Sequence, residues 1–153
     1  MEYMELLQRH DGPKFWEHPR GFDYRLATAR FAACAEALSS ALGLDLQVET
    51  GTRIQDASFH SQVLIPLARE CYAMVRFSNF GDMVSIGLSQ AGEMMPEVPL
   101  DHIQQTMLRT ILEVLEKHGY VYVPAEVLLQ PYTGQHRGVT GIRNWWIRYF
   151  DWV

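Results

Sequence analysis

The side chains best suited to acid–base chemistry or metal binding in this sequence are six histidines, His10, His18, His60, His102, His118 and His136. No two of them have the close spacing that places two metal ligands on one face of a helix. His118 ends a predicted helix, where a cation is favoured by the helix dipole. His60 is the best-placed candidate for a catalytic imidazole, but its polar alternate neighbours Ser58 and Gln62 favour a solvated strand face. We therefore expect no metal site and no cofactor.

The candidate nucleophiles in the sequence are its two cysteines. Cys34 falls in a helix-like segment, and Cys71 precedes Tyr72 in an apolar strand-like segment, where the pKa of a thiol is raised and its reactivity lowered. We interpret both as buried free thiols, which are typical of a reducing compartment. The sequence contains no nucleophile-elbow, P-loop, dinucleotide-binding or zinc-protease motif. These observations predict a protein that is not an enzyme.

Residues 90–99 form a predicted loop that combines acidic and flexible apolar side chains, Glu93, Met94, Met95 and Glu97. Surface carboxylates are the simplest interpretation of the two glutamates, and an acid pair is the alternative. Methionines outside a regular element often make adaptable contacts with a partner. The alternative is that Met94 and Met95 fold back over the core. We take this loop as a candidate partner-binding surface.

The last ten residues, 144–153, contain three of the four tryptophans together with a tyrosine and a phenylalanine. Their aromatic and β-branched content predicts a final strand at 142–152 with large rings on both faces. Arg148 and Asp151 lie between these rings. They fit a recognition pair on an aromatic platform, or an arginine stacked on a ring at the sheet margin. Arg148 and Trp152 are therefore further candidates for partner binding, and the second aromatic face is a candidate homodimer interface.

Two long helices are predicted to support these residues. Residues 23–42 are rich in Ala, Leu, Arg and Glu and end before Gly43. Residues 102–118 begin after Asp101, with Gln104 in the capping-box position, and end before Gly119. A short helix is predicted at 2–9, whereas 124–129 fit a helical turn and an extended edge equally well.

Alternating apolar residues predict a sheet between and after these helices. Four consecutive runs, beginning near Leu44, Phe59, Cys71 and Val84, are joined by short turns and indicate an antiparallel meander. Residues 120–123 read as a further short strand. The predicted fold is a single α+β domain, residues 1–153, with an antiparallel sheet of five or six strands and helices 23–42 and 102–118 packed mainly on one face.

Bulk composition narrows the functional classes. The chain has 153 residues, 48% of them hydrophobic and 20% charged, and a net charge of -5. The acidic balance argues against general binding to nucleic acid or to an anionic membrane, which normally needs a basic patch. No apolar run approaches the roughly 20 residues that span a bilayer. The N-terminal residues do not resemble a secretory signal, so we expect a cytoplasmic protein.

Residues Trp145 to Trp152, preceded by Tyr-Val-Tyr-Val-Pro at 120–124 and Pro-Tyr-Thr-Gly at 131–134, resemble the closing section of small bacterial immunity proteins from polymorphic or contact-dependent toxin systems. In such proteins an aromatic strand with an Arg-Tyr-Phe-Asp-like run ends a compact α+β domain. The resemblance covers about the last third of the chain. It implies a cytoplasmic protein that neutralises a cognate toxin by direct binding.

The competing hypothesis is a small-molecule-binding or enzymatic domain. Its pocket is expected between the sheet and helix 102–118, lined by aromatics such as Tyr122 and Trp146. A large cavity with converging polar groups near His60 favours this hypothesis. A filled core with a protruding acidic, methionine-bearing loop favours partner binding.

Overall fold

A computed structural model describes residues 2–12, 15–51, 54–96, 105–136 and 141–152 of the chain. Within these ranges the helices are α1 (Tyr3–Arg9), α2 (Tyr24–Leu42), α3 (Gln105–Lys117), α4 (Ala125–Leu128) and α5 (Trp145–Phe150). The strands are β1 (Gln47–Thr50), β2 (Phe59–Ala68), β3 (Cys71–Ser78), β4 (Met83–Gln90), β5 (Glu93–Met95) and β6 (Val121–Tyr122). The predicted α+β class is confirmed.

The six strands form one mixed sheet. β1 to β5 follow each other in chain order and pair antiparallel, whereas β6 pairs parallel to β4 beside Met83 and Val84. The expectation of a purely antiparallel sheet is wrong at this point, because α3 crosses back over the sheet and returns the chain in the direction of β4. The predicted loop 90–99 is also partly wrong, since Glu93–Met95 pair with Leu88–Gln90.

One face of the sheet packs against the two longest helices, α2 with 19 residues and α3 with 13 described residues. Asp23 begins α2 by accepting hydrogen bonds from the amides of Arg25 and Leu26, and Gly43 ends it at a φ of 66°. Residues that share this core are Phe31, Cys34 and Leu38 from α2, Ile111 and Leu115 from α3, and Val63, Ile65, Val75 and Ile86 from the sheet. The predicted cap of α3, Asp101 with Gln104, lies outside the described residues.

The opposite face of the sheet packs against α1, α4 and α5, which bury Leu7, Leu128 and Trp145 against Met74 and Met83 of the sheet. The prediction of helices mainly on one face is therefore correct only for the two longest. Cys34 and Cys71 are buried and free, as expected.

The predicted C-terminal strand is wrong, because residues Trp145–Phe150 form helix α5. Asn144 caps this helix by accepting a hydrogen bond from the Ile147 amide at 3.0 Å. At helical spacing the rings stack in pairs: Trp145 lies 5.9 Å from Tyr149, and Trp146 lies 5.5 Å from Phe150. All four rings are buried against the second face. Tertiary packing has thus overridden the β propensity of this segment.

Candidate functional site

Arg76 is a buried cation in the middle of β3, with its side chain only 1% exposed. Its Nε donates to Gln62 Oε1 at 2.9 Å, and its Nη1 donates to the Phe150 carbonyl oxygen at 2.7 Å. Its Nη2 contacts the sulfur of Met94. The guanidinium of Arg76 therefore connects strand β3 with the C-terminal end of α5 and with strand β5.

Three aromatic rings enclose the Arg76 guanidinium. Its Cζ lies 4.3 Å from the ring centre of Phe59, 4.8 Å from Trp152 and 5.6 Å from Trp146. The Asp151 carboxylate lies 3.9 Å from Nη1. Burial lowers the pKa of Arg76 to about 10, and the carboxylates of Asp151 and Glu49 oppose that shift. The guanidinium is therefore charged at neutral pH and is held largely by neutral partners.

Two exposed apolar side chains cover this cation, and we call them the Met94–Trp152 patch. Met94 is 49% exposed and Trp152 is 39% exposed, although both contact Arg76. Trp152 is also held edge-on against Phe59, with 4.8 Å between ring centres. The carboxylates of Asp151 and Glu49 border the same cluster, since Glu49 accepts a hydrogen bond from Gln62. The patch is an apolar surface with an acidic rim over a fixed positive charge.

The short strand β5 positions the methionines. Met94 pairs with Ser89 and Met95 with Leu88, so their side chains point to opposite faces of the sheet. Gly87 allows the chain to pass closely, because a Cβ there would lie 2.6 Å from the Met95 carbonyl oxygen. Of the predicted partner-binding residues in this segment, Glu93, Met94 and Met95 are exposed. Glu97 lies outside the described residues.

The prediction that Arg148 belongs to an accessible recognition surface is wrong. Arg148 is 2% exposed, and its Nε donates to the buried carboxylate of Asp11 at 2.8 Å. Its Nη1 and Nη2 donate to the carbonyl oxygens of Trp16 and Phe15. The guanidinium also lies 4.7 Å from the ring centre of Phe80. Its hydrogen bonds hold the N-terminal segment against α5.

Asp11 completes this internal ion pair. Its carboxylate accepts hydrogen bonds from the Tyr132 hydroxyl at 2.8 Å and from the Gln135 amide at 2.7 Å. Gly134 has to be glycine-sized, because a Cβ there would overlap the Asp11 carboxylate. No local pattern marks this cluster, because Asp11 and its main partner Arg148 are 137 positions apart.

His60 does not lie on a solvated strand face, contrary to the sequence-based interpretation. It is 5% exposed, and a bulge between Phe59 and Ser61 turns its ring towards Phe31 and Phe77 on the α2 face of the sheet. Its Nδ1 lies 2.8 Å from Ser61 Oγ. Burial, assisted by the positive charge of Arg30, lowers the pKa of His60 to about 4. The imidazole is therefore neutral at pH 7.

The pocket expected between the sheet and helix 102–118 is not formed by the predicted residues. Tyr122 packs with the core beneath α3, whereas Trp146 packs on the opposite face of the sheet. Ile111 and Leu115 of α3 are completely buried. The pocket hypothesis thus placed Tyr122 and Trp146 together, whereas they lie on opposite faces of the sheet.

In the part of the chain that the structure describes, no three His, Cys, Asp or Glu side chains are grouped so that they could hold a metal ion. No helix there has both the length and the apolar character needed to cross a membrane.

Comparison of the chain with protein-family models, with curated proteins and with solved structures finds no significant match.

Proposed function

We propose that this protein is a non-enzymatic, cytoplasmic binding protein of the immunity type, which neutralises a bacterial toxin by direct binding. The observation that carries the proposal is the Met94–Trp152 patch, two exposed apolar side chains held over the buried cation Arg76. The resemblance of the C-terminal third to immunity proteins suggested this role, but its aromatic closing strand is helix α5 in the structure, so the proposal depends on the patch.

The composition of the patch suits a protein interface. Tryptophan, methionine and arginine are enriched at the centres of such interfaces, where a few anchors supply most of the binding energy. Trp152 is fixed by Phe59 and Arg76, so little conformational entropy is lost when a partner covers it. Met94 keeps a flexible side chain that adapts to the partner's surface. A stable complex needs about 800 Å² on each side, so the patch forms the centre of a larger interface.

The charge around the patch indicates a basic partner. Asp151 and Glu49 lie beside the Arg76 cluster, and Glu93 is exposed on β5. The whole chain carries a net charge of -5. Oppositely charged surfaces accelerate association and select the orientation of the partners. The toxin surface that meets this patch is therefore proposed to be rich in lysine or arginine.

The decisive experiment expresses the product of the gene immediately upstream, with and without this protein. The proposal expects growth inhibition by the upstream product alone, rescue of growth on co-expression, and a complex of the two purified proteins at micromolar concentration. A metabolic enzyme upstream, together with no toxin retained by the protein at micromolar concentration, would lead us to abandon the proposal.

Two matched variants locate the interface within that experiment. Met94→Lys places a positive charge in the patch and should weaken toxin binding by about 2 kcal/mol, roughly 30-fold. Met95→Lys is the control, because Met95 is 37% exposed on the same strand but points to the other face of the sheet. Equal effects of the two variants would contradict the placement of the interface. A mass that doubles with concentration in the wild type and not in Met94→Lys would assign the patch to a homodimer instead.

A further inference from the structure

A cleft of about 360 Å³ opens on the α2 face of the sheet, away from the Met94–Trp152 patch. We call it the His60 cleft. Its outer wall is the 19–23 loop with the first turns of α2, and its other walls include His60, Asn79, Asp82 and Tyr120. The volume lies within the range of roughly 300–1,000 Å³ that is typical of small-molecule pockets.

A tight turn builds one wall of the cleft. Phe80 O accepts a hydrogen bond from the Met83 amide at 3.1 Å, and the two central residues, Gly81 and Asp82, have φ values of 59° and 55°. Positive φ at both central positions is the mark of a type I′ hairpin turn. This turn directs Asp82 to Arg30, with 2.7 Å between the charged groups. Both residues are part of the cleft wall.

Two buried polar atoms in the wall residues lack a hydrogen-bond partner. The Asn79 amide nitrogen donates to the carbonyl oxygens of Glu17 and Ala57, which fixes Oδ1 as the acceptor end of the side chain. No described residue donates to that Oδ1 or bonds the hydroxyl of Tyr120. Asn79 is 3% exposed and Tyr120 is 7% exposed. The hydroxyl of Tyr24 also interacts with the Asn79 side chain. Since buried polar groups are nearly always paired, Asn79 Oδ1 and the Tyr120 hydroxyl are open to a water molecule or to a ligand.

The cleft wall carries two cations, Arg20 and Arg30, and two anions, Asp23 and Asp82, so its formal charges cancel. Arg30 pairs with Asp82, and the Asp23 carboxylate accepts hydrogen bonds from the first amides of α2. Burial keeps His60 neutral, with its pKa lowered to about 4, and keeps Tyr120 protonated, with its pKa raised to about 12. The cleft therefore offers hydrogen bonds without a net charge to select an ion.

Flat apolar surfaces lie next to these polar groups. The rings of Phe22 and His60 are 6.0 Å apart and tilted by 37°, and the Arg30 guanidinium lies 5.1 Å from the ring centre of Tyr120. Leu26, at the mouth of the cleft, is 60% exposed. A planar molecule fits this combination of rings better than a flexible polar one.

We propose that the His60 cleft binds an uncharged planar molecule that carries a carboxamide or lactam group, the chemistry shared by nicotinamide, uracil and guanine. The N–H of this group donates to Asn79 Oδ1, and its carbonyl oxygen accepts from the Tyr120 hydroxyl. Both protein atoms are shielded from solvent, so the 19–23 loop has to shift for the ligand to reach them. The proposal does not depend on the function of the Met94–Trp152 patch.

Three probes of nearly equal shape test the proposed ligand class: benzamide is neutral, benzoate is an anion and benzamidine is a cation. Backbone amide signals of the isotope-labelled full chain are followed by NMR during each titration. Benzamide should shift the signals of His60, Asn79 and Tyr120, and the two ions should bind at least about tenfold more weakly because the cleft carries no net charge. Titration has to reach about 20 mM, since a ligand of this size binds with a Kd of roughly 10 mM at ordinary efficiency.

A pair of tyrosine variants tests the contact itself. Tyr120→Phe should weaken benzamide binding up to about tenfold and leave the stability of the protein unchanged or slightly higher, because it removes an unpaired buried hydroxyl. Tyr122→Phe is the control, since Tyr122 is not part of the cleft wall. The proposal is overturned by absent signal shifts at 20 mM benzamide, by equal binding of the three probes, or by unchanged affinity in Tyr120→Phe. That last result would mean that Asn79 and Tyr120 contact water only.

Discussion

The two faces of the sheet bury different polar side chains. On the face covered by α5, neighbouring oxygens and aromatic rings surround the guanidinium groups of Arg76 and Arg148. On the α2 face, His60 and Tyr120 are held in their neutral forms, and the Tyr120 hydroxyl has no partner among the described residues. A buried charge with complete partners fixes a structure, whereas a neutral group with an open hydrogen-bonding position leaves a site available to a ligand.

The two buried arginines also differ from each other. Arg148 lies 2.8 Å from a carboxylate, Asp11, whose side chain is 1% exposed. The carboxylate that pairs with Arg76 among the described residues is that of Asp151, at 3.9 Å, and the Asp151 side chain is 37% exposed. Arg148 therefore belongs to a closed internal ion pair, while Arg76 supports an accessible surface. The comparison predicts that the two arginines have unequal effects on stability.

The largest effect is expected from Arg148→Met. This variant leaves the Asp11 carboxylate buried without its cation and should lower the free energy of unfolding by about 3–5 kcal/mol. Urea denaturation followed by tryptophan fluorescence measures the change. The double variant Asp11→Asn with Arg148→Met should recover part of the loss, because no isolated charge remains. Arg25→Met, at an exposed position on α2, is the control and should change stability by less than about 0.5 kcal/mol.

If the double variant were as unstable as Arg148→Met alone, the loss would come from packing and not from the uncompensated carboxylate. The comparison between charged and neutral burial would then lose its strongest example.

The next effect concerns pH and the neutral face. The pKa of His60 is about 4 in the folded protein and about 6.5 in the unfolded chain, so the unfolded chain takes up the proton first as the pH falls. The contribution of His60 to the free energy of unfolding is complete above about pH 6.5. It is lost progressively as the pH falls to about 4, by about 3 kcal/mol in total. His60→Phe cannot be protonated and should show a correspondingly weaker loss. Urea denaturation at pH 7, 5.5 and 4 measures the difference between the two proteins.

Carboxylates titrate in the same range, so only the difference between wild type and His60→Phe reports on His60. Identical curves for the two proteins would show that His60 is protonated as readily in the folded protein as in the unfolded chain.

Local sequence patterns predicted the amphipathic helices and strands. Helix α2 and the four meander strands follow from spacing and alternation. They failed at α5, where dense aromatic content indicated a strand. The stacked pairs Trp145–Tyr149 and Trp146–Phe150 have helical spacing, but that spacing becomes decisive only when a second sheet face is there to cover both pairs.

The candidate sites were less predictable because long-range contacts create them. Met94 and Trp152 were identified from their residue types. The guanidinium that joins them comes from Arg76, which was not among the predicted site residues. Asp11 and Arg148 are 137 positions apart. The His60 bulge reversed the expected exposure of its side chain. No short-range sequence pattern predicts any of these contacts.

The smallest of the three effects is expected from Arg76→Met, at about 2 kcal/mol. The variant loses the hydrogen bonds to Gln62 and to the Phe150 carbonyl, but it also removes a cation whose lowered pKa shows that burial disfavours its charge. Arg76→Lys, the control, keeps the charge without the planar fork and should not restore these bonds. Urea denaturation should therefore find Arg76→Met clearly more stable than Arg148→Met. Equal losses of stability in the two variants would mean that Arg76, like Arg148, belongs to an internal ion pair. Met94 and Trp152 would then shield that ion pair from solvent and would not form a binding surface for a partner.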